Sequence, residues 1–129
     1  MNPFDLGMVE PLGFYAFNNI ELVKDKPKKT ILSDVLMFYN PSWSLLGDFI
    51  SGTSSKRFGG SHYYNSKDSR NYHWRILDQL IFTKSLYEQF NQETFKLLES
   101  EHLCKEINKA KSSDSKAIDH LPLYFSFNI

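Results

Sequence analysis

Apolar positions fall along this chain in short bursts, and the spacing inside each burst predicts an element. Phe4, Leu6, Met8 and Val9 follow Pro3, which predicts a short helix with Asn2 as N-cap and proline at the first helical position. Residues 14–23, FYAFNNIELV, are apolar with a polar interruption, and KDKPKK at 24–29 reads as a solvated charged loop. In TILSDVLMFYN, at 30–40, Ile31, Val35 and Phe38 recur at helical spacing, so a helix ending before Pro41 is expected.

The serine- and glycine-rich stretch SGTSSKRFGGS at 51–61 predicts a mobile loop, with Gly59-Gly60 as its flexible element. HYYN at 62–65 is a candidate short strand. HWRILDQLIF at 73–82 is the best strand in the chain, apolar enough for burial on both faces except at Asp78 and Gln79. SLYEQFNQ at 85–92 reads as a short helix, while ETFKLLES at 93–100 fits a strand or a helix equally. KEINKAKSSDSK at 105–116 is a polar loop, and LPLYFSFN at 121–128 alternates enough for a final strand. Together these give an α+β or α/β fold. There is no internal repeat and no low-complexity tract.

Composition narrows this picture without choosing a function. A chain of 129 residues fits one domain and can bury a core. Aromatic residues make up 16%, with eleven Phe, seven Tyr and two Trp, which argues against wholesale disorder. Lys+Arg and Asp+Glu number 15 each, so global charge points to neither nucleic acid nor an acidic membrane. The single cysteine, Cys104, excludes an internal disulfide and a thiolate metal cluster, and fits a reducing, cytoplasmic setting. No apolar run reaches the roughly 18 residues a membrane helix needs. Asp5 and Glu10 occupy the place of a secretory signal's basic region.

Asp78 is the most informative position. An ionisable carboxylate inside an apolar strand costs several kcal/mol unless it is paired. It either sits at a strand end and bonds backbone groups, or it has a partner in space. His120, at the mouth of the last strand, is the natural candidate. A carboxylate on one imidazole nitrogen fixes the tautomer and raises the ring's basicity, leaving the other nitrogen to exchange a proton or polarise a phosphate oxygen. Asp119 next to it projects differently and suits a separate role. His62 and His73 lie among aromatic residues, where packing or exposure is the ordinary outcome. Glu99, Glu101, His102 and Cys104 cluster without a strong metal-ligand spacing. Tyr63 and Tyr64 could stack on a base, but core or rim packing is the simpler role. No phosphate-cradling GxxxxGK[ST] loop, GxSxG elbow or HExxH helix is present.

In order, four segments resemble the carboxyl-terminal half of the endonuclease/exonuclease/phosphatase superfamily. MNPFD at 1–5 is similar to the segment after the family's Gly-Asp-Phe-Asn motif. FYNPSWSLLGD at 38–48 resembles the Phe-Tyr-Asn-Pro-Met-Trp segment of a bacterial branch, with Ser42 where Met is common. HYYN and then YHWRILDQLIF resemble that branch's Tyr-rich strand and Trp-x-x-x-Asp-Gln strand. IDHLPLYFSF is similar to the closing Ser-Asp-His-x-Pro motif, with Ile118 in place of Ser. The resemblance spans nearly all of residues 1–129. It implies one partial domain, half of a two-sheet sandwich with flanking helices.

It further implies that His120 contacts the scissile phosphate and that Asp78 orients it. Asp119 would assist near the attacking water and the Mg²⁺ of the complete domain. The family's metal-binding Asn and Glu, its central His or Tyr, and the Gly-Asp-Phe-Asn motif itself precede Met1 in such an alignment. Asp48 in LLGDFI is no substitute, since Ile50 stands where Asn is required. The chain is then expected to be inactive alone. Its aromatic excess is expected to pack on a missing sheet, or on a second copy through an exposed apolar face. One chain of a split enzyme and a non-catalytic binding module are the alternatives. The module reading leaves Asp78 and His120 free to lie apart. Substrate choice among nucleic acid, phosphoinositide and other phosphoesters is not encoded in the fold.

Overall fold

Backbone pairing at Phe38–Tyr39 joins two distant stretches of the chain, 16–17 and Phe82. A computed structural model describes residues 2–25, 27–29, 34–47, 59–63, 74–100, 102–103, 105 and 120–129. The described chain mixes helix and strand. A one-turn helix, α1 (Leu6–Val9), precedes β1 (Ala16–Phe17), which pairs in parallel with β4 (Phe38–Tyr39). On its other side Tyr39 bridges Phe82, its N–H 2.7 Å from the Phe82 carbonyl oxygen. Two further antiparallel pairs join β2 (Lys28–Lys29) to β3 (Asp34–Val35), and β5 (His62–Tyr63) to β6 (Trp74–Arg75). The longest pair joins β7 (Phe90–Leu97) to β8 (Leu123–Phe127), also antiparallel. Among the described residues the named strands thus form four two-stranded sheets.

Tertiary pairing replaces the helix expected over 30–40. Its described part, 34–40, is β3 and β4, because Phe38 and Asn40 donate to the Tyr15 and Phe17 carbonyls at 3.1 and 2.7 Å. Ile31 lies outside the described residues. Helix α1 exists, but its N-cap is Asp5 and not Asn2. The Asn2 side chain is used elsewhere, its Oδ1 accepting from the Ile76 N–H at 3.0 Å. The helix expected at 85–92 is a 3₁₀ segment, Lys84–Gln89, that ends where β7 begins. β7 settles 93–100 as mainly strand, and β8 occupies the expected final strand.

The expected long strand at 73–82 is the largest revision. Among the described residues only Trp74–Arg75 pairs with a neighbouring strand, and Phe82 makes a single bridge. Between them, side chains stand where a strand partner is expected. Asn2 takes the Ile76 N–H, Ser61 takes those of Leu77 and Asp78, and Ser42 takes that of Leu80. Each backbone donor in a poorly hydrated segment needs an acceptor, and polar side chains supply them here. Ile76 is buried, whereas Leu77, Leu80 and Ile81 are half-buried, so the stretch is not enclosed on both faces.

Among the described residues two apolar clusters form the core. Leu45, Ile76, Leu97 and Leu121 make one, with Tyr63, Trp74 and Leu123 against it. Tyr15, Val23 and Met37 make the other. Many rings pack on each other: Phe82 lies 5.4, 5.0 and 5.5 Å from Tyr39, Phe90 and Phe127. Much of the aromatic excess is therefore spent inside the described chain, while Tyr124 and Phe125 remain exposed.

Candidate functional site

Asp78 and His120 meet across 42 positions of sequence. Asp78 Oδ2 lies 2.8 Å from His120 Nδ1. The side chains of His120 and Asp78 are 43% and 40% exposed, so the pair is open to solvent and to a ligand. The premise of a carboxylate enclosed in a strand is corrected: Asp78 sits at a bend between the Trp74–Arg75 pairing and the Phe82 bridge.

Several elements hold the two groups together. His120 is tied to His62 by an isolated antiparallel bridge, and the two imidazoles lie 4.5 Å apart, tilted by 54°. The next residue, Leu121, is fully buried, and its N–H donates to the Ser61 carbonyl oxygen at 2.6 Å. Asp78 is fixed from the same place, since Ser61 Oγ accepts from the Leu77 and Asp78 N–H groups at 3.1 and 3.2 Å. With Nδ1 facing Asp78, the tautomer that donates there leaves Nε2 as the atom able to hold or pass a proton.

The segment expected to be a mobile loop contributes directly. Residues 51–58 lie outside the described residues, but Gly59, Gly60 and Ser61 are buried beside β6. A Cβ on Gly60 would stand 2.5 Å from the Arg75 carbonyl oxygen, so glycine is required there by close backbone approach. Residue types alone do not single out Ser61 and His62 as the neighbours of the pair. The legible signal was Gly-Gly placed directly before a strand, which marks tight contact as readily as looseness.

Other candidates fare differently. Asp119, His73, Tyr64, Cys104 and Glu101 lie outside the described residues. Tyr63 packs edge-on against Trp74 at 5.2 Å, filling a core role. Among the described residues no group of three or more His, Cys, Asp or Glu side chains is arranged to hold a metal ion. Mg²⁺ usually keeps several waters and is held through one or two carboxylates, and the one carboxylate of the described dyad is already engaged with an imidazole. The described dyad therefore does not by itself supply a Mg²⁺ site. No described helix is long and apolar enough to cross a membrane. Comparison of the chain with protein-family models, curated proteins and solved structures finds no match.

Proposed function

We propose that this chain is the carboxyl-terminal portion of a metal-dependent phosphodiesterase of the endonuclease/exonuclease/phosphatase type. In this reading residues 1–129 form half of a two-sheet sandwich with flanking helices. The observation that carries it is the 2.8 Å contact between Asp78 and His120, two groups that the closing-motif resemblance pairs. Asp78 accepts the Nδ1 proton and orients the ring, while Nε2 meets a phosphate oxygen. The resemblance gives Asp119 the role of assisting the attacking water. Mg²⁺ belongs to the complete domain, with its ligands outside the described dyad, and the chain is inactive alone.

The competing reading of a non-catalytic module leaves Asp78 and His120 free to lie apart, so their hydrogen-bond contact favours the phosphodiesterase reading. Partners follow from the exposed apolar residues of β8, Tyr124 and Phe125, at 45% and 41% exposure. They would meet the amino-terminal half of a split enzyme or a second copy, and sedimentation velocity with and without Phe125→Lys reads the second case.

The test of the site uses bis(p-nitrophenyl) phosphate. Titrated into the purified chain, it shifts the His120 ring resonances in the wild type and leaves them unmoved in Asp78→Asn. An unshifted His120 in the wild type overturns the site. With Mg²⁺ present the chain alone shows no turnover; turnover lost in His120→Ala overturns the assignment of inactivity.

A further inference from the structure

We infer that Ser61 is the positioning residue of the Asp78–His120 pair, one buried side chain and its own carbonyl fixing both partners at once. The inference rests on reading the pair as a functional unit. Ser61 is fully buried. A serine hydroxyl has two acceptor lone pairs, and here both are used, by the backbone N–H groups of Leu77 and Asp78. Its carbonyl oxygen takes the Leu121 N–H, next to His120 in sequence, at 2.6 Å.

The arrangement is unusual in what it replaces. The bend at Asp78 has left the β5–β6 ladder, so among the described residues no strand fixes where its carboxylate points. His120 lies three residues before β8 and, among the described residues, is bridged only to His62. Neither catalytic group is held by a regular sheet of its own. Ser61 supplies the missing constraint, and Gly60 lets it sit close enough to do so. Without the hydroxyl, two adjacent N–H groups lose their acceptor and the Asp78 turn is free to rotate away from Nδ1. Ser61 touches no reacting atom in this scheme; it acts through Asp78.

The experiment is nitrogen-15 NMR on the full chain. In the wild type, His120 holds its proton on Nδ1, and the Leu77 and Asp78 amides exchange about tenfold or more slowly than unprotected amides. Ser61→Ala moves His120 toward the Nε2–H tautomer, as Asp78→Asn does, with ring signals of Phe82 and Phe90 unchanged. Ser61→Cys keeps the volume but not the strong acceptor, and behaves like alanine. Ser61→Thr keeps the oxygen and restores the wild-type tautomer. A wild-type tautomer in Ser61→Cys overturns the inference. So do Leu77 and Asp78 amides that exchange unprotected in the wild-type chain, a measurement that needs no variant to fold. If bis(p-nitrophenyl) phosphate fails to shift His120 while the Ser61 series behaves as stated, the phosphodiesterase reading falls and the positioning role stands.

Discussion

Asp78 keeps four-tenths of its side chain in water while it holds His120, and that exposure limits what the contact contributes to stability. A solvent-screened pair of this kind is worth about 1 kcal/mol or less. Asp78→Asn is therefore expected to lower unfolding free energy by no more than about 1 kcal/mol in urea while abolishing the His120 response to a phosphodiester. A loss of several kcal/mol would mean that the carboxylate is a core group and not a site group. Tyr39 gives a second prediction. Its phenol titrates above its ordinary value of 10.0, mainly because burial disfavours the phenolate and further because Tyr87 lies beside it. The unfolded chain gives up this proton first, so the stability present below about pH 10 is lost as pH rises through the folded value. Tyr39→Phe should flatten the alkaline decline in thermal midpoint, and an unchanged slope would remove Tyr39 as its cause.

At the scale of elements, irregular segments depend on single side chains. The β7–β8 register shifts between Asn91 and Lys96, and Thr94 staples the irregularity. Its Oγ1 donates to the Asn91 carbonyl oxygen at 2.9 Å and accepts from the Ser126 N–H at 3.0 Å. Thr94→Val keeps the shape and strands that N–H, so a loss of about 1–3 kcal/mol in chemical denaturation is expected. A neutral result would show that water serves the bulge equally well. Asn40 plays the same part at the 3₁₀ segment Pro41–Leu45: it is fully buried, and its Oδ1 accepts from the Ser42 N–H at 3.0 Å. Its Nδ2 donates to Gln79 Oε1 at 2.7 Å, linking that segment to the stretch carrying Asp78. Among the described residues, side-chain hydrogen bonds connect the pieces around the site.

Across the whole molecule, the site and one core cluster share a boundary. Leu121 is fully buried with Leu45, Ile76 and Leu97, directly after His120 in sequence. Leu121→Ala should cost about 2–5 kcal/mol and weaken the His120 tautomer preference in the molecules that stay folded. Calorimetry gives the first and NMR the second; an unaltered tautomer at full destabilisation would separate the site from the core.

Local pattern in the sequence determined the short helix near Phe4–Val9 and the closing strand, and residue chemistry offered His120 as one of two ways to satisfy Asp78. These were legible because each depends on residues a few positions apart, or on residue types with one strong use. Only the tertiary structure decided that Phe38–Tyr39 is strand, that Asp78 stands at an exposed bend, and that Ser61 joins both halves of the dyad. In each case a backbone donor or acceptor was satisfied by a residue far away in sequence: Phe17 for Asn40, Ser61 for Asp78, Asn2 for Ile76. Hydrophobic spacing reports which face an element turns to the core, and it carries no information about which distant group will complete a hydrogen bond.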